Sequence, residues 1–336
     1  MSMMKYDQIL SEIKNKIYKP VYFLMGEEPY FIDKITDLLV SSVLEESEKP
    51  FNLNILYGKD SDVNTIDNTA RRFPMGADYN LVIVKEAQNI VDIDRLNFYA
   101  QSPSPSTILI IAYKYKTLDK RKKLYKTINK NGVLFEAKKI YDNQVPKWIQ
   151  KYLEDRQKSM EPSAGIMLTE YLGSDLAKIS HELDKLLLTL PEGVDRITPD
   201  HVETNIGISK EFNNFELTKA LAKRNVVKAN RIIMYFGQNQ KVNNINMTIS
   251  ALFYFFSKVL GLHFMKNESN ATIAKALQIP PFFVGDYQIA TKNYSRTKVV
   301  EIISILREYD LKSKGYNNPS VPGDELLQEM IFKIIH

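Results

Sequence analysis

The 336-residue sequence contains no cysteine and only four histidines. Without cysteine, a disulfide framework, a thiolate zinc site, an iron–sulfur cluster and a cysteine nucleophile are all excluded. His181 begins a pattern similar to the zinc helix HExxH, but Lys185 stands where the second histidine is needed. A GxSxG nucleophile elbow is also missing. The sequence therefore predicts no metal site and no catalytic residue.

Long hydrophobic runs are missing as well. The longest ones, such as Ile108–Ala112 and Ala251–Phe256, fall far short of the roughly 20 residues that a membrane span needs. The first twenty residues mix lysines with acidic residues and contain no apolar h-region, so we expect no signal peptide. These features predict a soluble, cytoplasmic protein without a membrane partner.

The charge balance is only mildly basic, with 45 Lys+Arg against 40 Asp+Glu and a net charge of +5. The excess is concentrated in residues 113–130, which carry seven lysines and Arg121 against the single acid Asp119. Such a run is most often a solvated helix face, and the alternative is a patch that faces the phosphates of a nucleic acid. The candidate DNA-facing residues are Lys120, Arg121, Lys122 and Lys123.

The first 140 residues alternate between short apolar runs and amphipathic stretches. The helical stretches include one from about Pro29 and Val63–Ala70. Apolar runs without alternation are typical of strands that are covered on both faces, and strands alternating with helices favour a parallel sheet in an α/β domain. The predicted strands are Val21–Met25, Asn52–Tyr57, Leu81–Val84, Thr107–Ala112 and Gly132–Ala137.

The strand signals stop after about Ile140, and the rest of the chain has helical patterns. Within 141–210, helices are predicted over Val145–Leu153 and Ile166–Leu172, then from Ser174 onwards. Within 211–336, Met247–Met265 is apolar nearly all round, which indicates a helix buried in a bundle. Further helices are predicted over Thr297–Leu311 and Asp324–Ile335. The predicted fold class is α/β plus all-α, with domains 1–140, 141–210 and 211–336.

The turn after the first predicted strand has the position of a phosphate-binding loop but lacks its residues. If Gly26 is the first glycine of GxxxxGK[ST], Phe31 replaces the second glycine. Ile32 and Asp33 replace the lysine and the hydroxyl residue. A side chain cannot substitute for the close backbone approach of a glycine, nor an apolar group for a phosphate-binding cation.

The neighbouring residues also disfavour a nucleotide. Glu27 and Glu28 place negative charge where phosphates would lie, and Pro29 lacks an amide donor. After the third predicted strand, Lys85 stands where a Walker B aspartate would hold magnesium. We therefore expect a degenerate, non-binding nucleotide site and no cofactor, with a residual ATPase kept as a hypothesis.

Residues 273–284 have the apolar spacing of a helix-turn-helix. The turn, however, contains Pro280 and Pro281, and Phe282 and Phe283 occupy the polar start that a recognition helix needs. Ordinary helix packing is the favoured interpretation, and a DNA-binding regulator is the alternative function.

The segment RRFPMG at 71–76 admits two interpretations from its residues. It is a helix end in which Phe73 folds back on the core, or an apolar tip presented to a groove on a partner protein.

Several segments, modest individually, form a specific set by their order and spacing from about Pro20 to the C-terminus. They are VYFLMGEEPYFIDK, FNLNILYGKD, RRFPMGADYNLVIVKEA, YKTLDKRKKLYK, Gly173-Ser174-Asp175-Leu176 with HELDKL, and FFVGDYQIA with LREYDLKSKG. Together they resemble the delta-subunit family of the bacterial replicative clamp loader, a part of DNA polymerase III. The resemblance implies an AAA+-like domain without ATPase activity, a helical lid and a helical collar.

The resemblance also implies partners and a contact site. The partners are the beta sliding clamp, the tau/gamma and delta prime subunits, which include those that hydrolyse ATP, and primer–template DNA within the assembly. The clamp-binding tip of the family falls on Phe73, Pro74 and Met75. Gly76 departs from the family pattern of two large apolar residues, which leaves Met75 as the best anchor and Phe73 as a substitute for the second.

Overall fold

The computed structural model describes residues 3–206, 211–239, 244–265, 268–279, 281–317 and 320–336. Contacts between residues divide the chain into two compact units, Met1–Ile140 and Tyr141–His336.

The N-terminal unit contains a five-stranded sheet in which every neighbouring pair is parallel, in the order β2-β3-β4-β1-β5. Val21 of β1 lies opposite Leu109 of β4, and Tyr22 lies opposite Val133 of β5. The predicted parallel α/β arrangement is thereby confirmed. The strands are β1 (Val21–Gly26), β2 (Leu53–Tyr57), β3 (Asn80–Lys85), β4 (Thr107–Lys114) and β5 (Val133–Ala137).

Helices cover both faces of this sheet because successive strand residues point to opposite sides. Phe23 and Met25 pack with α4, α5 and α6, while Tyr22 and Leu24 pack with α1 and α2. The edge strand β2 is the most exposed of the five strands and has no fully buried residue. The helices are α1 (Tyr6–Lys14), α2 (Pro29–Val43), α3 (Lys49–Asn52), α4 (Val63–Ala70), α5 (Asn97–Gln101) and α6 (Lys123–Asn131).

The predicted strand Leu81–Val84 starts one residue too late, because β3 begins at Asn80, and two other predicted strands start one residue too early. Asn52 does not open the second strand but ends the short helix α3, where its N–H donates to the carbonyl oxygen of Glu48. Gly132 precedes β5 and is the C-cap of α6. In both cases a helix continues up to the strand, so the apolar pattern alone did not locate the boundary.

The C-terminal unit is almost entirely helical. Its core gathers buried side chains from every helix from α11 to α17. The helices are α7 (Val145–Glu154), α8 (Pro162–Leu172), α9 (Leu176–Thr189), α10 (Pro199–Ile206), α11 (Asn214–Ala222), α12 (Val226–Gln238), α13 (Ile245–Leu262), α14 (Asn270–Leu277), α15 (Val284–Asn293), α16 (Arg296–Ser313) and α17 (Gly323–Ile335).

Three details of this unit differ from the sequence-based expectation. Helix α8 begins at Pro162, four residues before the predicted start at Ile166. A parallel pair of two-residue strands, β6 (Ser159–Met160) and β7 (Arg196–Ile197), occurs where no strand was predicted. Asp175, not Ser174, is the N-cap of α9, because the Asp175 carboxylate accepts a hydrogen bond from the N–H of Lys178 at 3.1 Å.

Helix α13 is, within the described ranges, long and apolar enough to cross a membrane by length and composition. In the structure its Leu252, Phe256 and Val259 are fully buried in the core of α11–α17. Phe253 and Tyr254 of the same helix are 50% and 45% exposed. The predicted helix is therefore found, but it is buried along one face and not all round.

The further division of residues 141–336 at 210 and 211 stays a prediction. Residues 207–210 lie outside the described residues, and contacts group the whole of Tyr141–His336 into one unit.

Candidate functional site

The candidate tip and the candidate nucleotide site lie at opposite ends of the strands of the parallel sheet. The tip residues belong to the connection from α4 to the start of β3, at the amino end of the strands. The loop after β1 lies at the carboxyl end, where ligands bind in parallel α/β sheets. Each site can therefore be considered by itself.

The tip projects its apolar side chains into solvent. Phe73 is 86% exposed and Met75 is 66% exposed, while Pro74 between them is half-buried. The structure thus supports the interpretation in which the segment is presented outward, and Phe73 is not folded back on the core. Exposed Phe and Met side chains are typical anchors for a groove on another protein.

The backbone of the tip is fixed even though its side chains are not buried. The N–H of Met75 donates to Oδ1 of Asn52 at 2.6 Å, and Nδ2 of Asn52 donates to the carbonyl oxygen of Met75 at 3.0 Å. Gly76 follows with φ of +65°, a left-handed conformation that suits glycine. The chain bends over residues 75–78.

The helix that leads into the tip ends on a set of polar contacts. Arg71 pairs with Asp67 through Nε and Oδ2 at 2.9 Å, and its guanidinium carbon lies 5.3 Å from the ring centroid of Tyr99. The hydrogen bond with Asp67 raises the pKa of Arg71. Burial raises the pKa of Tyr99 to about 12, and its hydroxyl donates to the carbonyl oxygen of Ala70 at 3.4 Å.

A buried asparagine closes the other end of the loop. Asn80, the first residue of β3, donates through Nδ2 to the carbonyl oxygen of Thr69 at 3.1 Å. Its Oδ1 accepts a hydrogen bond from Nδ2 of Asn54 on the edge strand at 2.9 Å. The loop is thereby joined to the sheet at its base, and at Met75 it is joined to the end of α3.

Sequence reasoning missed the asparagines as site residues. A signal was present, because asparagine is depleted in strands and yet Asn54 and Asn80 lie in the first two positions of adjacent strands, and Asn52 directly precedes the first of them. Their partners are distant in sequence, so the pattern alone did not identify what they hold.

At the carboxyl ends of the strands, the backbone N–H groups that a phosphate would need already donate hydrogen bonds within the protein. The N–H of Gly26 donates to the carbonyl oxygen of Lys116 at 3.0 Å. The N–H groups of Glu27 and Glu28 donate to the carbonyl oxygen of Ala137 at 2.9 and 3.3 Å. A triphosphate would have to break these hydrogen bonds to be cradled here.

The side chains at the carboxyl ends of the strands do not supply the cation, the hydroxyl group or the magnesium ligand that a nucleotide site needs. Glu28 accepts a hydrogen bond from the N–H of Tyr30 at 3.2 Å and so caps α2, while Ile32 is fully buried in the core. Asp33 forms an ion pair with Lys114 at 2.7 Å. The ring of Phe31 packs edge-on against the ring of Tyr6, with 4.7 Å between the ring centroids. Lys85 is exposed.

The four candidate DNA-facing residues are all exposed at the start of α6. The positive charges of two of them are paired with carboxylates. Arg121 forms an ion pair with Asp119 at 2.7 Å, and Lys122 forms one with Asp94 at 2.9 Å. Hydrogen bonding to Arg121 lowers the pKa of Asp119 to about 2, so this carboxylate stays charged at neutral pH. No ion pair joins Lys120 or Lys123 to any residue that the structure describes.

The segment with helix-turn-helix spacing is part of the helical core. Ile273, Phe283 and Val284 are buried, and the ring of Phe283 lies 5.1 Å from that of Phe215. Pro280 and the side chain of Phe282 lie outside the described residues. A recognition helix needs its first residues free to contact bases, whereas here those of α15 pack inward.

Two family models match the chain. The model described as DNA polymerase III, delta subunit, matches residues 22–138, and that described as DNA polymerase III delta subunit, C-terminal domain, matches residues 211–328. The DNA polymerase III subunit delta of Bacillus subtilis (strain 168) is 26% identical over 324 residues, covering 93% of this chain and 92% of the relative.

A solved structure shares the fold. The DNA clamp loader delta protein of Bacillus subtilis superposes with a TM-score of 0.59 at 23% identity, over 98% of this chain and 99% of that one. Matches to both the N-terminal and the C-terminal models of one subunit, in the same order, leave no other assignment for the chain as a whole. The chain belongs to the delta-subunit family of DNA polymerase III, the family of the clamp loader delta subunits.

Proposed function

We propose that this delta subunit binds the beta sliding clamp through Phe73, Pro74 and Met75 and opens it for loading onto primed DNA during replication. The observation that carries the proposal is the combination of two exposed apolar side chains with a fixed backbone at Met75. Exposed apolar groups on an ordered loop bind a groove without first paying the entropy of ordering that loop.

The proposed mechanism is a shift of an equilibrium. The subunit opens the ring only to the extent that it binds the open clamp more tightly than the closed one. Burial of the Phe73 and Met75 side chains supplies about 1.5–3 kcal/mol each before ordering costs. That amount suffices to bias a strained ring interface and is too small to separate a relaxed one.

In this proposal the subunit itself performs no catalysis. Gly26, Glu27 and Glu28 donate their amides within the protein, which supports a scaffold that binds no nucleotide, with ATP hydrolysed by partner subunits. The other proposed partners are the tau/gamma and delta prime subunits and primer–template DNA, which Lys120 and Lys123 would contact. The proposed location is the cytoplasm, where replication takes place in bacteria.

Co-elution of the purified chain with its own sliding clamp on a sizing column tests the proposal. We expect the wild-type chain and Met234→Ala to co-elute with the clamp and Met75→Ala to elute separately. Met234 is a matched control because it is also an exposed methionine, at 60% exposure, on α12. Failure of the wild-type chain to bind would refute clamp binding, and wild-type affinity in Met75→Ala would refute the assignment of Met75.

A further inference from the structure

We propose that Asn52 is a positioning residue for the clamp-binding tip, because its buried side-chain amide holds the backbone of Met75 and so directs the Met75 side chain outward. The inference rests on the proposed function of the tip. It adds to that function a residue that need not touch the clamp.

The Asn52 amide makes three hydrogen bonds, which use both of its N–H donors and require one orientation. Its oxygen accepts from the N–H of Met75 at 2.6 Å, and its nitrogen donates to the carbonyl oxygens of Met75 at 3.0 Å and Glu48 at 3.1 Å. A reversed amide would place NH₂ against the Met75 N–H, so only this orientation satisfies all three contacts. The Asn52 side chain therefore bonds to both the N–H and the C=O of Met75, as a residue of a neighbouring strand does in an antiparallel sheet.

Met75 combines a tethered backbone with a free side chain. Asn52 is 1% exposed, whereas Met75 is 66% exposed. Side-chain packing, which orders most loops, is thus largely missing at Met75, and the two hydrogen bonds to Asn52 replace it. Hydrogen bonds shielded from water by burial are the ones that hold a geometry most firmly.

The tether works together with the base of the loop. Asn80 holds the carbonyl oxygen of Thr69 at 3.1 Å, and the left-handed turn at Gly76 follows Met75 directly. The segment between Thr69 and Asn80 is therefore fixed at both ends and at Met75. Without Asn52 the central fixed point is lost, and the tip would have to be ordered when the clamp binds.

The expected effect on binding is a loss of affinity without a loss of fold. Ordering the backbone of one residue on binding corresponds to a weakening of about tenfold. We expect Asn52→Ala and Asn52→Asp each to weaken clamp binding by about this factor. Asn52→Asp keeps the acceptor for the Met75 N–H but sets a carboxylate oxygen against the Met75 carbonyl oxygen.

Asn97→Ala is the matched control for these variants. Asn97 is another buried asparagine of the N-terminal unit, and its Oδ1 accepts a hydrogen bond from Thr127 at 2.7 Å. We expect its loss to leave clamp affinity unchanged.

A double-mutant cycle separates positioning from a general effect on the fold. If Asn52 acts through Met75, Asn52→Ala has much less effect on clamp affinity in a Met75→Ala background than in the wild-type chain. A purely structural role would reduce affinity by the same factor in both backgrounds, and that result would overturn the inference.

Hydrogen exchange followed by mass spectrometry gives a readout that does not depend on the clamp. We expect slow exchange of the Met75 amide in the wild-type chain and fast exchange in Asn52→Ala, which removes the acceptor of the Met75 N–H. Fast exchange in the wild-type chain would overturn the inference even if neither Asn52 variant folds. If Met75→Ala weakens clamp binding while both Asn52 variants bind like wild type, the inference fails and the proposed function stands. If Met75→Ala also binds like wild type, the assignment of Met75 as an anchor fails, and the inference fails with it.

Discussion

Gly26 and Ala137 lie in backbone contact where β1 and β5 end, so close that a Cβ at position 26 would be 2.2 Å from the carbonyl oxygen of Ala137. Gly26 also has φ of +127°, a conformation that L side chains rarely adopt. The glycine that would begin a phosphate loop in a nucleotide-binding relative is thus needed here for the contact between two strands.

We expect Gly26→Ala to destabilise the N-terminal unit by at least about 3 kcal/mol, because backbone strain adds to the steric clash. Urea unfolding followed by circular dichroism measures the change. Gly285→Ala is the control, since Gly285 lies in α15 and a Cβ added there would have no atom within 4 Å. That helical substitution should be neutral or stabilising by up to about 1 kcal/mol. Equal stability of Gly26→Ala and the wild-type chain would contradict the contact.

The proposed clamp-binding tip needs a second apolar group beside Met75. Because Gly76 has no side chain, we expect Phe73 to supply the second apolar group, and Phe73→Ala to weaken clamp binding by about 10–100-fold. At 86% exposure its removal should leave the thermal unfolding midpoint unchanged. Phe98→Ala is the control, since Phe98 is a 72% exposed phenylalanine of the same unit. Wild-type affinity in Phe73→Ala would leave Met75 as the sole anchor among these two.

The basic run at the start of α6 should contribute unequally to DNA binding. We expect Lys120→Ala and Lys123→Ala each to reduce the salt slope of primer–template binding by the assembled loader by about 1. Arg121→Ala should have a smaller effect, because Asp119 already compensates Arg121 at 2.7 Å. Filter binding over a range of salt concentrations gives the slopes. A larger effect of Arg121→Ala than of either lysine variant would show that the ion pair opens on DNA.

Buried tyrosines predict a loss of stability in alkali. Burial raises the pKa of Tyr22 and of Tyr99 to about 12, against 10.0 for the ordinary side chain. Because the folded-state pKa is raised, the folded protein keeps these hydroxyls protonated at pH values where the unfolded chain loses the protons. The free energy of unfolding is therefore unaffected by them below about pH 10 and falls as the pH rises from about 10 to 12. Urea unfolding at a series of pH values should show the fall, and Tyr99→Phe should make it shallower. Tyr57→Phe, at an exposed side chain of β2, should keep the wild-type dependence.

The main architecture follows from local patterns in the sequence. Leu81–Val84 is an unbroken apolar run, and it is indeed buried on both faces of a parallel sheet. The two-residue strands β6 and β7 were missed because two residues are too few to show a periodicity. The start of α9 was misplaced because Ser174 and Asp175 are both good N-caps, and only the contact with Lys178 distinguishes them.

The site was less accessible to sequence reasoning. An apolar residue in a turn such as Phe73 can pack inward or project outward, and the choice depends on whether the core has room for it. The tether between Asn52 and Met75 joins residues 23 positions apart, and no local pattern encodes it. The occupied amides at Gly26 depend likewise on strands that are distant in the chain.

The tether from Asn52 reaches only main-chain atoms of Met75, and the left-handed residue after it is a glycine with no atom within 4 Å of a Cβ. The shape of the loop is therefore independent of which side chains stand at positions 73 and 75. Those two positions can exchange one large apolar group for another at little cost to folding. If the loop binds the clamp as proposed, the two proteins can change their fit to each other while the sheet that carries the loop stays the same.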